Sequence, residues 1–327
     1  MKSILISSLA LVLFTACSGK KYFEPQETSS NIELNKSSTG STLKSFNRAG
    51  GTLEDGKFVT KAGISTIELP EGFVFLNTTE DGKFIATNYI DKILIGNEER
   101  VMKDPIVAAS IKDNKLAVVH SNNTMELIDL SSNKTLYKEY LPISLANDTR
   151  IANPLFFGNL ILFPTLNGRV LIISSATNEQ IKNIAVDHEN EINNIIELSV
   201  IESEQTLIVA SPHKIVSISP KEILTKNYKI RDVVVADNNI FLATIDGQLI
   251  KLSSSLEEEA KKKYKYAKFH ALAYTNSLYA VESQGYLVNI NSDFTKDTIY
   301  DFSFDNQERM IAIGNTIYYG SKQALLP

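Results

Sequence analysis

From residue 51 onward the chain is a succession of short apolar runs, alternating or β-branched, separated by Asn, Asp and Gly. Runs of this kind predict β-strands joined by tight turns. The periodicity of a long amphipathic helix is nearly absent, although Glu and Lys at i,i+4 spacing over 257–263 predict a helical turn or two. The pattern therefore predicts an all-β protein.

The predicted strands also repeat in a fixed order. Each unit has a strand, an Asn or Asp turn, a second strand, a Gly turn, a third strand ending in polar residues, and an outer strand. The clearest copies are 109–132, 154–176, 233–254 and 271–292. Second strands recur every 32 to 47 residues, a period typical of propeller blades.

Counting these units predicts how the ring closes. Six complete units run from 72 to 302, and 310–319 supplies two more strands. We expect 57–60 and 64–68 to complete that unit, which predicts a seven-bladed β-propeller over 51–327, closed by strands from both termini. Eight blades is the rival count.

One blade, 153–182, resembles the pyrroloquinoline-quinone-type propeller repeat. Pro154 precedes its inner strand, Gly158 and Gly168 occupy the two turns, and Thr177-Asn178 occupies the knob before the outer strand. The repeat usually has Gly where this chain has Asn178, and the chain has no Trp for docking one blade on the next. The resemblance implies the architecture, with Phe, Tyr or Ile packing between blades.

The amino-terminal residues predict export and a lipid anchor. Lys2 precedes an apolar stretch at 4–14 that is too short to span a bilayer, as in a signal peptide. The run 14–17 then resembles the lipobox of bacterial lipoproteins. This resemblance implies that residues 1–16 are removed and that Cys17, the only Cys, carries acyl chains such as palmitate. A secreted protein with a free thiol is the alternative.

The segment that follows predicts a flexible linker. Residues 17–50 are rich in Ser, Thr, Lys and Asn and show little apolar periodicity. Within it, Asn35-Lys36-Ser37 is an Asn-X-Ser sequon preceded by Glu33. Asn35 is therefore a candidate N-glycosylation site, with a chance match in a polar segment as the alternative.

Composition and spacing weigh against several kinds of chemistry. A net charge of −5 argues against a nucleic-acid-binding protein. The four His residues lack the spacing of a zinc site. The quinone-dependent enzymes that share the repeat typically have Trp that stacks on the cofactor and, in many members, a Cys pair. This chain has neither, so its resemblance to the repeat does not imply quinone chemistry. No phosphate-binding loop or nucleophile elbow is present. We expect no metal, no cofactor and no enzymatic activity.

The anchor, the tether and the repeat type together resemble the BamB-like lipoproteins of the outer-membrane β-barrel assembly machinery. The resemblance implies a non-enzymatic scaffold that is anchored to the outer membrane, has its body in the periplasm and contacts the barrel-forming subunit. The alternative is a propeller lipoprotein, periplasmic or surface-exposed, that binds a glycan or a peptide.

Two long connections flank the best-formed blade and are our candidates for partner contacts. One carries Asp148 and Arg150, and the other carries Asp187, Glu189 and Glu191. Connections between blades project from the ring, and such loops commonly carry function. Ordinary solvated loops are the alternative.

Overall fold

A computed structural model describes residues 21–30, 32 and 34–327. The predicted signal peptide and Cys17 lie outside these residues. The described chain forms eight four-stranded antiparallel sheets. The all-β propeller is therefore confirmed, whereas the count of seven blades is wrong and the rival count of eight is right. Within residues 21–30, 32 and 34–327, none of the helical segments has the length and hydrophobicity of a membrane span.

The blades follow one another around the ring in chain order. The first strand, β1 (Asn35–Ser38), precedes blade 1, which contains β2 (Leu43–Phe46), β3 (Gly51–Leu53), β4 (Phe58–Thr60) and β5 (Gly63–Ile64). Blade 2 contains β6 (Val74–Thr78), β7 (Phe84–Thr87), β8 (Lys92–Ile95) and β9 (Glu98–Val101). Blade 3 contains β10 (Ile106–Lys112), β11 (Lys115–His120), β12 (Thr124–Asp129) and β13 (Lys134–Tyr140). Blade 4 contains β14 (Leu155–Phe157), β15 (Leu160–Pro164), β16 (Arg169–Ser174) and β17 (Gln180–Ala185).

The second half of the ring continues the same pattern. Blade 5 contains β18 (Glu197–Ile201), a 3₁₀ turn (Glu202–Glu204), β19 (Thr206–Ala210), β20 (Lys214–Ile218) and β21 (Ile223–Asn227). Blade 6 contains β22 (Ile230–Ala236), β23 (Asn239–Thr244), β24 (Gln248–Leu252) and β25 (Glu258–Lys263). Blade 7 contains β26 (Phe269–Tyr274), β27 (Ser277–Glu282), β28 (Tyr286–Asn291) and β29 (Asp297–Asp301). Blade 8 begins with β30 (Met310–Ile313), β31 (Thr316–Tyr319) and β32 (Lys322–Leu325).

Blade 8 takes its outer strand from the amino-terminal side of the chain. β1 pairs antiparallel with β32, from Asn35 opposite Leu325 to Ser38 opposite Lys322. Strands from both ends do close the ring, but the closing strand is 35–38 and not 57–68, which belongs to blade 1 and the connection that follows it. Strands therefore start inside the segment 17–50 that we expected to be a flexible linker.

Packing between blades holds the ring together without Trp. Apolar side chains of neighbouring blades interdigitate, as where Phe241 of blade 6 meets Tyr274 of blade 7 in a stacked pair with centroids 4.6 Å apart. Polar side chains add links between neighbouring blades. Asn77 Nδ2 donates to the Ala109 carbonyl at 3.0 Å, and Asn153 Oδ1 accepts from the Ala109 N–H at 3.1 Å.

The helical turn expected at 257–263 does not form. Residues Glu258–Lys263 are strand β25, which pairs with β24. The Lys side chains pair across strands and turns, with Lys263 bound to Asp246 at 2.6 Å and Lys262 bound to Asp297. Pairing with the blade therefore overrides the local i,i+4 preference.

Because neighbouring strands are antiparallel, the loops divide between two faces of the ring. We call one the connection face: it carries the turns between second and third strands and the connections from blade to blade. We call the other the turn face: it carries the turns between first and second strands and between third and fourth strands.

Candidate functional site

A central cavity of about 970 Å³ is lined by the first strands of all eight blades. It reaches the turn face, where residues of the first turns of blades 2 and 8, such as Thr79 and Gly314, line it. Its wall is mixed in character. Aromatic and aliphatic side chains alternate with hydroxyl groups, among them Phe46, Tyr274, Ile311, Thr78, Ser110 and Ser199.

Blade 1 is short, and this changes the cavity. Its four strands have only two to four residues each, whereas those of blade 3 have six or seven. The hairpin turn 47–50 therefore comes early and lies within the channel, and the second hairpin of the blade, around Lys61 and Ala62, lines the cavity as well. We call the part of the cavity beside this short blade, lined by Phe46, Lys61 and Ala62, the notch.

Local hydrogen bonds fix the turn 47–50. Asn47 Oδ1 accepts from the N–H groups of Ala49 at 2.8 Å and Gly50 at 3.1 Å, and Asn47 Nδ2 donates to the Phe75 carbonyl at 2.7 Å. At Gly50 a Cβ atom would lie 2.2 Å from the Val59 carbonyl oxygen, so only glycine fits there. The turn holds Arg48 in a defined position over the channel.

Arg48 spans the channel from blade 1 to the opposite side of the ring. Its Nη1 donates to Asp232 Oδ1 of blade 6 at 2.7 Å, and its Nε donates to Glu197 Oε2 of blade 5 at 3.0 Å. A further bond joins Nη2 to the Val233 carbonyl at 2.6 Å. Burial acts to lower the pKa of Arg48, but the two carboxylates outweigh it and raise that pKa, so the guanidinium stays charged.

Both carboxylates are also engaged with other groups. Asp232 Oδ2 accepts from the Leu272 N–H of blade 7 at 2.8 Å, and Asp232 Oδ1 accepts from the Val233 N–H at 2.9 Å. The Ser199 hydroxyl donates to Glu197 Oε1. The group formed by Arg48, Glu197 and Asp232, which we call the channel brace, therefore ties three blades together and places one cation and two anions in the cavity wall.

Asp148 and Arg150, which the sequence offers as candidates for partner contacts, form an ion pair in the structure. Arg150 Nε lies 2.8 Å from Asp148 Oδ1, and Arg150 Nη1 donates to the carbonyl of Arg231 in blade 6. Burial raises the pKa of Asp148, but the bonds and charge of Arg150 outweigh it, and the pKa falls below its usual value. Arg150 also lines the central cavity.

Asn194 joins the two connections that were singled out as partner-contact candidates. Its Oδ1 accepts from the Asp148 N–H at 2.7 Å, and its Nδ2 donates to the Arg150 carbonyl at 3.1 Å. The backbone adds a bond from Ala152 N to Ile195 O at 3.0 Å. Sequence reasoning missed Asn194, since one Asn in an Asn-rich connection gives no distinguishing signal.

The three acidic candidates of the second connection lie in different environments. Asp187 is buried, and its carboxylate accepts from Ser211 Oγ at 2.8 Å and Asn190 Nδ2 at 2.9 Å. Glu189 is at the surface and pairs with Lys214 at 2.8 Å, which lowers the pKa of Glu189. Glu191 is exposed. Glu189 and Glu191 thus lie at the surface, whereas Asp187 supports the loop from within.

Asn35 is exposed and is the first residue of β1, so its amide is accessible from solvent. Its glycosylation stays a prediction. Acylation of Cys17 also stays a prediction, because that residue lies outside the described part of the chain.

A buried polar cluster lies in blade 3, away from the cavity. The Glu126 carboxylate accepts from Thr135 Oγ1 at 2.6 Å and from Lys138 Nζ at 3.0 Å, and His120 Nε2 lies 3.1 Å from it. The bond with His120 first, then those with Thr135 and Lys138, lower the pKa of Glu126 to about 2 against the opposing effect of burial. Among the described residues, no group of three His, Cys, Asp or Glu side chains is arranged to hold a metal ion.

Two curated proteins resemble this sequence along most of its length, while no family model matches it. Both are plasminogen-binding protein PgbB of Helicobacter pylori, from strains J99 and 26695. Each is 25% identical over 91% of this chain. The match covers 64% of each relative, so this chain spans less than two thirds of their length.

Solved structures with similar folds are more distant in sequence. BamB from Moraxella catarrhalis superposes with a TM-score of 0.67 at 12% identity, over 90% of this chain and 98% of that one. The C-terminal WD40 domain of Sif2 gives 0.65 at 11% identity, over 91% and 100%. The computationally designed protein Ika8 gives 0.60 at 12%, over 89% and 98%. At such identities these likenesses establish the propeller fold alone.

Proposed function

We propose that this chain is a protein-binding propeller of the bacterial envelope that acts without catalysis and is held to the outer membrane by acyl chains on Cys17. The observation that carries the proposal is the similarity to a plasminogen-binding protein over 91% of the chain. Plasminogen is accordingly the first partner to test.

The cavity supports binding of a protein segment. Its volume of about 970 Å³ and its mixed aromatic, aliphatic and hydroxyl lining suit an inserted loop or extended peptide. The ionisable groups of the channel brace are bound to one another, so we treat them as part of the cavity wall and not as the groups that contact a partner. We place the contact at the mouth of the cavity, beside the notch under blade 1.

Lys61 lies at that mouth of the cavity. Three Lys or Arg side chains of the described residues line the cavity, and two of them, Arg48 and Arg150, are in ion pairs. Lys61 is exposed and forms no ion pair within the part of the chain that the structure describes. An acidic segment of a partner would therefore meet an available cation at this position.

The experiment is a titration of immobilised full-length protein, in detergent, with purified plasminogen. We expect saturable binding that free full-length protein competes away. Binding that does not saturate, or that an equal concentration of an unrelated propeller lipoprotein reproduces, would reject plasminogen as the partner.

A scaffold role in outer-membrane protein assembly is the second candidate, because the fold superposes on BamB over 90% of this chain. Affinity purification of the full chain from cross-linked outer membranes tests it. Recovery of the barrel-forming assembly subunit in stoichiometric amount is the expected outcome, and its absence while other outer-membrane proteins cross-link would eliminate this role.

A further inference from the structure

Exposed apolar side chains are concentrated on one face of the ring. Fourteen large hydrophobic side chains are exposed in the described chain, and seven of them lie in loops of the connection face. Ile67 also lies in such a loop, but it is not counted among the seven because it lines the cavity. Leu145 is 99% exposed, Ile90 69% and Ile143 67%. The complete set is Tyr89, Ile90, Ile143, Leu145, Ile192, Ile245 and Tyr266.

The turn face has the opposite character. None of the fourteen exposed side chains lies in its turns, within the described residues. Those turns consist largely of Asn, Asp, Gly and Ser, as at Asp113-Asn114, Gly158-Asn159 and Asp237-Asn238. An apolar surface on one side only indicates an interaction on that side.

The amino-terminal segment is fixed at the same connection face. Phe23 is buried, with its ring centroid 6.0 Å from that of Tyr264 and 5.7 Å from that of Tyr286, both edge-on. Lys21 Nζ lies 5.6 Å from the ring centroid of Tyr266. Tyr264 and Tyr266 belong to the connection after β25, and Tyr286 follows a turn between second and third strands. The chain therefore joins the ring at this face.

The position of Lys21 limits how far the ring can be from a lipid on Cys17. Three residues lie between the two positions, and the four steps of a fully extended chain from Cys17 to Lys21 cover at most about 14 Å. A ring held so closely must present one of its surfaces to the membrane. The surface nearest the attachment point is the connection face, which also carries the exposed Leu, Ile and Tyr side chains.

We propose that the connection face lies against the lipid surface in which Cys17 is anchored, with its apolar loop tips inserted at the membrane interface. This inference rests on the acylation of Cys17 in the proposed function. Aliphatic tips gain from leaving water, and Tyr side chains suit the interface because one end is apolar and the other polar. The turn face and the mouth of the cavity then point away from the lipid.

Depth-dependent quenching tests this orientation. The acylated full chain is reconstituted in phosphatidylethanolamine–phosphatidylglycerol vesicles that carry brominated lipid, with an environment-sensitive dye on a single introduced cysteine. L145C and I90C report on the connection face, and N159C and N276C report on the turn face. We expect brominated lipid to remove most of the emission at the first two positions and none at the other two.

A matched pair of variants tests whether the exposed apolar side chains of the connection-face loops make the contact with lipid. Combining Ile143→Asp with Leu145→Asp is expected to reduce quenching at I90C, whereas Ile181→Asp, an exposed apolar residue on outer strand β17, is expected to leave it unchanged.

Three results would overturn the orientation. The first is equal quenching on both faces, and the second is dye found on Cys17 itself, because the proposal requires that thiol to be acylated. The third is a result in which brominated lipid in vesicles does not quench the dyes at L145C and I90C, although native membranes shield the same dyes from a soluble quencher. That result would assign the connection face to a protein partner. This experiment does not measure plasminogen binding, so the orientation can be rejected or supported whether or not plasminogen is the partner.

Discussion

The guanidinium of Arg48, carried by blade 1, donates a 2.7 Å hydrogen bond to the carboxylate of Asp232 in blade 6. The two residues are 184 positions apart in sequence. The contact depends on the early turn of a short blade, so one feature of local structure determines both the brace and the shape of the cavity. Variants of these residues test the arrangement.

We predict that Arg48→Met destabilises the fold by about 3 kcal/mol, because it leaves two partly buried carboxylates without their cation. Urea unfolding of the variant measures this loss. Adding Glu197→Gln and Asp232→Asn to Arg48→Met should recover part of it. Arg309→Met, at an exposed Arg with no ion pair in the described chain, is the control and should change stability by less than about 0.5 kcal/mol. An equal loss in both single variants would contradict the brace.

Acid should weaken blade 3 through Glu126. Its pKa is lowered from 4.5 to about 2 in the folded protein, so the folded state binds this proton less readily than the unfolded state. The stabilisation is therefore complete above about pH 4.5 and is lost as the pH falls toward 2, by about 3 kcal/mol in all. Unfolding free energy measured from pH 6 to pH 2.5 should fall less steeply in Glu126→Gln. Glu189→Gln, at an exposed ion pair that solvent screens, should change the slope by much less.

Substituting two glycines in blade 4 distinguishes the cost of backbone strain from the cost of a steric clash. Gly158 and Gly168 both have positive φ, but a Cβ at Gly158 meets open space, whereas one at Gly168 would lie 1.7 Å from the Asp187 carbonyl oxygen. Gly158→Ala should cost about 1 kcal/mol. Gly168→Ala should cost about 4 kcal/mol, measured by urea unfolding. Equal costs would show that the Asp187 connection is not held against this turn.

A disulfide can test how the ring closes. Gln323 Nε2 donates to Ser37 Oγ at 2.9 Å, and the two residues are directly opposite in the β1–β32 pair. Ser37→Cys with Gln323→Cys should therefore cross-link under mild oxidation and raise the unfolding midpoint. Ser65→Cys with Gln323→Cys, which corresponds to closure by residues 57–68, should remain reduced. The reverse result would support the seven-bladed topology.

Most of the blades could be predicted from sequence, because their second and third strands are buried and apolar. The six units expected over 72–302 correspond to blades 2 to 7. The two remaining blades could not be counted correctly for local reasons. β1 is exposed at all four positions and has no apolar pattern, and the strands of blade 1 are two to four residues long.

The cavity was harder to foresee than the fold. Arg48 lies in a segment whose composition predicts a linker, and its partner Glu197 is 149 residues away. Loop length did identify Arg150, which lines the cavity, but it could not show that Asp187 turns inward to Ser211. Long-range pairs of this kind leave no periodic signal in a single sequence.

The central claim, that the mouth of the cavity binds a protein partner, is tested most directly by the plasminogen affinity of Lys61→Glu compared with Lys221→Glu. Lys221 is also exposed on the turn face but lies outside the cavity. We predict that Lys61→Glu weakens binding about tenfold, or about 1.4 kcal/mol, and that Lys221→Glu leaves it unchanged. Equal affinities for the two variants and the wild type would contradict binding at this mouth.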